Sequence, residues 1–189
     1  MRPRPLVAVL LAVACTLVLA DDSATWAALR RDGAVALVRH GEAPGVGDPA
    51  GWKLDDCATQ RNLDDAGRAQ ARALGARLKA ERIPIRQVLA SPWCRTTETA
   101  TLLGVGAVQS EPTFANAFVL SDRRAELAAG ARALIARWRG PGTLLVVTHG
   151  ENIRALTGRT PATAELVVVT VGADGGLREL GAVLTPPPR

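Results

Sequence analysis

Short apolar runs alternate with amphipathic stretches along the chain, and this alternation predicts the order of its strands and helices. The apolar runs show no helical periodicity and are bounded by polar or turn residues, which is typical of buried strands. The predicted buried strands cover residues 34–38, 88–90 and 143–147. Two further runs, 165–171 and 177–184, flank the turn residues 174–176 and predict a terminal hairpin.

The stretches between these runs repeat apolar residues at helical spacing. The longest predicted helix begins with Asn62 as its N-cap and runs to Arg82. Its apolar face consists of Gly67, Ala71, Leu74 and Leu78. Further helices are predicted from about 95 to 103, from Ser121 onward and from 152 to 156. Strands that alternate with helices predict an α/β fold, a three-layer sandwich with a mostly parallel central sheet.

The first twenty residues have the pattern of an export signal rather than of a folded element. Arg2 and Arg4 precede an apolar run from Leu6 to Ala20, which is short for a membrane-spanning helix. We expect cleavage after Ala20, which would leave residues 21–189 as one periplasmic or secreted domain without a stable membrane partner. A lipoprotein signal that uses Cys15 and a retained anchor are the alternatives.

Composition narrows the classes of function. The 189 residues are 48% hydrophobic and 22% charged, which suits a globular domain and excludes a disordered or collagen-like chain. The chain has no Tyr, two Phe and four Trp, so that it offers few aromatic platforms for stacking on nucleic acid bases. The net charge of +5 is modest. We therefore expect no nucleic acid partner.

Histidine and cysteine are scarce, which restricts metal chemistry. The only histidines are His40 and His149, and the cysteines are Cys15, Cys57 and Cys94. A three-His zinc site is impossible, and no C-x-x-C pair exists, so we expect no metal. If Cys15 is removed on export, an even pair remains in an oxidising compartment. This favours a disulfide between Cys57 and Cys94, and two buried thiols are the alternative.

Both histidines directly follow predicted strands, and each precedes a glycine. His40 follows the first strand together with Arg39, His149 follows the strand 143–147, and Arg95 lies shortly after the strand 88–90. Ligands of α/β sheets bind at the carboxyl ends of the strands. We therefore expect two imidazoles and two guanidinium groups to share one site.

This combination of side chains suits phosphoryl transfer. Guanidinium groups match phosphate oxygens in a two-point geometry, and a neutral imidazole can attack phosphorus to form a phosphohistidine. Positive neighbours such as Arg39 and Arg95 favour the neutral form of His40, because like charge disfavours protonation.

Four segments that contain these residues resemble motifs of the histidine phosphatase superfamily, specifically of its branch 1. The fold of this superfamily is phosphoglycerate mutase-like. The segments read LVRHGE at 37–42, NLDDAGRAQA at 62–71, SPWCRTTETA at 91–100 and THG at 148–150. The resemblance implies that His40 is the nucleophile. It further implies that Arg39, Arg95 and His149 hold the phosphoryl group, and that no metal or cofactor takes part.

The general acid is not defined by this resemblance. Family members with mutase activity supply a Glu between the second Arg and the second His, and the chain shows no clean equivalent. Asp122 lies at about the right position, where it could equally be a helix-dipole partner, and Glu42 is the other candidate. Glu151 would be at most a supporting residue, and Glu98 is interpreted as structural.

The loop from Gly41 to Arg61 is interpreted as a substrate-specificity lid. Its residues 45–50 superficially fit a dinucleotide fingerprint, but Pro49 and the turn residues after it predict no following helix, so no nucleotide cofactor is expected. A Cys57–Cys94 bridge would fix this lid beside Arg95.

The sequence therefore predicts an exported phosphomonoesterase that acts through a phosphohistidine on His40. A phosphoryl-transferring mutase and a non-catalytic phospho-ligand-binding protein are the alternatives. The small size leaves no room for a large cap domain, which favours small or surface-attached phosphomonoesters.

Overall fold

The computed structural model describes residues 23–172 and 175–184. The predicted export signal lies outside these residues. The same is true of the two alternatives, a lipoprotein signal that uses Cys15 and a retained anchor. Within the described ranges, no helix has the length and apolarity needed to cross a membrane.

A central sheet of six strands forms the middle of the molecule. The strands are β1 (Val35–Arg39), β2 (Ile85–Ala90), β3 (Val108–Ser110), β4 (Thr143–Thr148), β5 (Leu166–Val171) and β6 (Leu177–Val183). Their order is β3-β2-β4-β1-β5-β6, and the first four in this order run parallel. β5 and β6 add an antiparallel edge, which confirms the mostly parallel sheet and the terminal hairpin. The sequence did not predict β3, because it is short and largely solvent-exposed.

The helices are α1 (Asp65–Ala80), α2 (Cys94–Leu103), α3 (Arg124–Arg137) and α4 (Gly150–Thr157), and residues 23–29 are also helical. The predicted bounds of α1 were wrong. The cap is Asp64, whose carboxylate accepts from the Gly67 amide at 2.7 Å, whereas Asn62 donates to the Cys57 carbonyl. The helix ends before Arg82, which adopts a left-handed φ of 53°. Ser121 starts a single 3-10 turn that precedes α3.

Alternate side chains of each strand pack against opposite layers of helices. Ala36 and Val38 of β1 face the layer formed by α1, α2 and residues 23–29. Val35 and Leu37 face the layer formed by α3 and α4. The three-layer sandwich is therefore confirmed, and burial on both faces explains the continuous apolar character of β1 and β4.

Two glycines let the loop after β1 pack directly against the start of α1. A Cβ atom on Gly41 would overlap the backbone of Gly67, and a Cβ on Gly67 would overlap the backbone of Glu42. The Gly41 amide also donates to Thr99 Oγ1 of α2 at 3.1 Å. These contacts fix the backbone directly after His40 against two helices.

Candidate active site

The carboxyl ends of β1 and β4 bring the two histidines together. Arg39 is the register partner of Thr148, and the His40 amide donates to the Thr148 carbonyl at 3.0 Å. The imidazole rings of His40 and His149, which directly follow these strands, lie 5.5 Å apart between centroids. The register of one parallel strand pair therefore sets the spacing of the two rings.

Arg95 reaches the same edge of the sheet from the first turn of α2. The connection from β2 also places Ser91, whose hydroxyl lies 2.8 Å from His149 Nε2. Ser91 and Arg95 are both fully buried. All four predicted residues, Arg39, His40, Arg95 and His149, line one cavity of about 340 Å³.

The cavity is strongly cationic. Its charged lining residues are Arg39, Arg61, Arg95, Arg154 and Glu151. Four guanidinium groups outnumber the Glu151 carboxylate in the lining and the buried Asp48 carboxylate behind Arg95, so that the site attracts anions and stabilises developing negative charge.

The surroundings of His40 leave its Nε2 atom as a nucleophile. Its Nδ1 lies 2.7 Å from the Gly41 carbonyl, which can only accept, so Nδ1 carries the proton and Nε2 the lone pair. Burial is the main cause that lowers the pKa of His40, the Gly41 carbonyl opposes it, and the charges of Arg95 and Arg39 add to it, so that the pKa falls to about 3. The imidazole is therefore neutral at neutral pH.

His149 is held neutral by the same physical causes. Burial lowers its pKa well below the usual value, and His40 and Arg95 add to the shift. The ring packs at right angles to the indole of Trp93, with 5.6 Å between centroids. Since Ser91 engages Nε2, the Nδ1 atom is left for another partner.

Three buried polar atoms of this cluster have no hydrogen-bond partner within the described residues. They are Arg39 Nε, Arg95 Nε and His149 Nδ1. Buried donors without partners are costly and rare in folded proteins. Their concentration in residues that line one cationic cavity indicates a site for a group rich in acceptor oxygens.

Asp48 belongs to this site, although no motif or periodicity in the sequence singled it out. Its carboxylate accepts from Arg95 Nη1 at 2.7 Å and Nη2 at 3.2 Å, and from Trp93 Nε1 at 2.9 Å. Burial alone would raise the pKa of Asp48, but the hydrogen bonds from Arg95 and the Arg61 amide lower it overall. Asp48 is thus an ionised partner that positions Arg95.

Arg61 was also missed. It lines the cavity, and its Nε donates to the Gly47 carbonyl at 2.8 Å, with a further bond to the Ala43 carbonyl. The only sequence signal is its place directly before the second of the four segments, at the end of a loop already interpreted as a lid.

The structure brings neither predicted acid candidate into the cavity lining. Asp122 is exposed on the 3-10 turn before α3. Glu42 Oε2 accepts from the Thr163 hydroxyl at 3.1 Å, beside the site rather than in its lining. Glu98 pairs with Arg68 at 2.7 Å, in keeping with its structural interpretation.

Glu151 is the carboxylate that does line the cavity. It forms ion pairs with Arg154 at 2.7 Å and with Arg124 at 3.2 Å. The hydrogen bond from Arg154 is the main cause that lowers its pKa. Glu151 is therefore ionised at neutral pH and has no proton to donate.

A disulfide joins Cys57 and Cys94, with 5.7 Å between their Cα atoms, as predicted. Next to the bridge, Gln60 Oε1 accepts from the Cys94 amide at 3.0 Å, while its Nε2 donates to the carbonyls of Lys53 and Leu54. The loop is thus fixed to the first turn of α2, one residue from Arg95.

Comparisons with known proteins give one family-model match and several solved structures of similar fold. Residues 35–119 match the family model of the histidine phosphatase superfamily (branch 1). No curated protein matches the chain. The protein histidine phosphatase SixA, in its structure complexed with tungstate, has 22% sequence identity to this chain. The TM-score is 0.57, and the match covers 79% of this chain and 96% of that one.

Two other solved structures share the fold. A putative phosphohistidine phosphatase SixA from Nakamurella multipartitia is 22% identical, with a TM-score of 0.56, over 82% of this chain and 98% of that one. A mycobacterial glucosyl-3-phosphoglycerate phosphatase is 18% identical, with a TM-score of 0.55, over 77% and 96%. The resemblance and fold predicted from the four segments are confirmed. The segment with His149 lies beyond the matched residues.

Proposed function

We propose that this chain, which has the fold and the branch 1 sequence signature of the histidine phosphatase superfamily, is a phosphomonoesterase with His40 as its nucleophile. The observation behind the proposal is the neutral, Nδ1-protonated imidazole of His40, set in a cavity lined by four arginines. The unpartnered donors Arg39 Nε and Arg95 Nε suit the oxygens of a phosphoryl group.

The reaction proceeds in two displacements at phosphorus. The lone pair of His40 Nε2 forms a bond to phosphorus while the bond from phosphorus to the ester oxygen breaks, and the leaving oxygen keeps that electron pair. Water then attacks the phosphohistidine, the bond from nitrogen to phosphorus breaks, and inorganic phosphate leaves. Arg39 and Arg95 stabilise the charge on the phosphoryl oxygens in both steps.

Protonation of the leaving oxygen limits the range of substrates. A positioned general acid contributes roughly 10²- to 10⁴-fold in rate, and the one carboxylate in the lining is ionised and paired with two arginines. Leaving groups that are stable as anions, such as phenolates, therefore suit this site best. The same observation favours the second candidate function, a phospho-ligand-binding protein with no turnover.

The proposal also covers the location of the protein, its class of substrate and its need for a cofactor. We propose export to the periplasm or the outside of the cell, since residues 1–20 resemble a signal segment and Cys57 is bonded to Cys94. We further propose a small or surface-attached phosphomonoester as substrate and a reaction without metal or cofactor. A mutase is less suited, because it too would use an acid, and export separates it from cytosolic substrates.

Hydrolysis of an activated aryl phosphate by the wild type and by His40→Ala, both with EDTA present, tests the proposal. We expect activity in the wild type that is unaffected by EDTA and absent from His40→Ala. An inactive wild type would favour the binding protein. EDTA-sensitive activity that survives in His40→Ala would contradict the mechanism.

A further inference from the structure

Two exposed apolar side chains lie at the mouth of the cationic cavity. Val46 is 88% exposed and Phe118 is 52% exposed, and both are part of the cavity lining. The other large apolar side chains that are exposed within the described residues, Leu54, Leu180 and Leu184, lie outside this lining. Isolated exposed apolar residues need no explanation, but two that meet at one cavity do.

Phe118 is held in its exposed position by the segment around it. Its amide donates to Asn116 Oδ1 at 3.1 Å, and the Ala117 amide donates to Asn152 Oδ1 at 3.1 Å. Ala117 and Val119, on either side of it, pack into the apolar cluster around Trp93. The exposure of the Phe118 ring is thus fixed by anchored backbone on both sides.

Val46 lies on a loop that is fixed in the same way. It is flanked by Gly45 and Gly47, whose φ values of +95° and +71° allow a tight turn at the cavity mouth. The Gly47 carbonyl accepts from Arg61, and the following residue, Asp48, is bound to Arg95. A Cβ atom on Gly47 would lie 3.8 Å from Phe118 Cε1, so the two loops meet beside Val46.

We infer that the site selects phosphomonoesters whose leaving group is apolar next to the ester oxygen, and that Val46 and Phe118 contact this apolar part. The inference rests on the proposed function, because the arginines bind the phosphate and thereby place the leaving group. Apolar surface removed from water on binding is favourable, whereas a polyhydroxylated leaving group would lose hydration against these side chains. The charged rim residues Glu151 and Arg154 are already paired with each other.

Binding of n-alkylphosphonates, from methyl to hexyl, tests this inference by titration calorimetry. These probes share one anionic head group and cannot be hydrolysed, so the chain length alone changes. We expect Kd to fall by about twofold to fourfold for each added methylene over the first few. In the double variant Val46→Ser/Phe118→Ser the dependence on chain length should disappear, while Kd for methylphosphonate stays within about twofold of the wild type. Leu54→Ser is the matched control and should behave like the wild type.

Two results would overturn the inference: a Kd independent of chain length in the wild type, or a dependence that persists in the double variant. Absence of binding for every phosphonate would overturn it as well. The proposed function fails separately. If phosphonate binding tightens with chain length but the protein does not hydrolyse aryl phosphates, the apolar subsite is supported and the proposed enzymatic function is contradicted. If hydrolysis depends on His40 but Kd does not change along the phosphonate series, the proposed enzymatic function is supported and the apolar subsite is contradicted.

Discussion

Asp48 binds the guanidinium group of Arg95 through both carboxylate oxygens, and neither side chain is exposed to solvent. A residue of a turn-rich loop thus fixes the orientation of an arginine that lines the cavity and that we propose binds phosphate. The Cys57–Cys94 bridge ties the other end of that loop to the helix of Arg95. The loop is therefore held to Arg95 and to its helix at two points.

Replacement of Asp48 by Asn should destabilise the protein and impair catalysis. Loss of one partner of a buried ion pair leaves an uncompensated charge and costs about 3 kcal/mol or more in the free energy of unfolding. We expect kcat/KM for an aryl phosphate to fall at least about tenfold, since Arg95 loses its positioning partner. Urea unfolding and steady-state kinetics measure both effects. Asp55→Asn, an exposed change on the same loop, is the control. Equal behaviour of the two variants would refute the positioning role.

Neither histidine should titrate near its ordinary pKa. Burial lowers the pKa of His40 to about 3 and that of His149 well below 6.5. Because the chain has two histidines, NMR of the imidazole carbons assigns both once His149→Gln is compared with the wild type. We expect constant shifts from pH 8 to 5, and nitrogen shifts that place the His40 proton on Nδ1. An inflection near pH 6.5 for His40 would contradict this.

The lowered pKa values of the two histidines also predict how the free energy of unfolding depends on pH. Below about pH 6.5 the unfolded chain protonates each histidine, whereas folded His40 stays neutral down to about pH 3. The free energy of unfolding should therefore decrease by up to about 1.4 kcal/mol per pH unit for each buried histidine as the pH falls through this range. Denaturant titrations at several pH values measure the slope. His40→Gln should reduce it, and an unchanged slope in that variant would argue against the low pKa of His40.

Reduction of the disulfide should destabilise the protein. The bridge closes a loop with a sequence separation of 37 residues, for which the chain-entropy model gives about 3 to 4 kcal/mol. Thermal unfolding of reduced wild type and of Cys57→Ser/Cys94→Ser should show the same lowered Tm, together with a raised KM from the loosened lid. If activity and Tm are unchanged after complete reduction, the bridge does not fix the site.

No carboxylate near the site should behave as a strong general acid. Glu151→Gln, Glu42→Gln and Asp122→Asn should each keep kcat within about fivefold of the wild type for an aryl phosphate. For the wild type, kcat/KM should decrease steeply as the pKa of the leaving phenol rises, because nothing protonates it. A variant that loses about a hundredfold or more, and loses most with the poorest leaving group, would identify the missing acid.

The sequence was most informative for residues whose place in the fold follows from their position in a strand or helix. His40 and His149 each follow a buried strand, and parallel strands bring their carboxyl ends together, so their proximity followed from the pattern. The face of α1 that carries Ala71 and Leu74 followed from helical spacing in the same way. The error at Asn62 was local, since Asp64 is the side chain within reach of the Gly67 amide.

The rest of the site depends on contacts between distant parts of the chain. Asp48 is a loop carboxylate whose importance arises only when the loop folds back over Arg95, and no periodicity encodes that contact. The same holds for Arg61, and for the ion pair that Glu151 forms with Arg124 from another helix. Position between Arg95 and His149 suggested Asp122 as an acid, but only the folded chain shows it exposed on its turn.

Trapping of the phosphoenzyme tests the central claim most directly. The wild type is mixed with a phosphorus-labelled aryl phosphate, quenched within milliseconds in alkali, and digested for peptide mapping. The account predicts a stoichiometric burst of phenol and an alkali-stable, acid-labile label on the peptide that contains His40. Hydrolysis without any labelled peptide, or label on another residue, would contradict the assignment of His40 as the nucleophile.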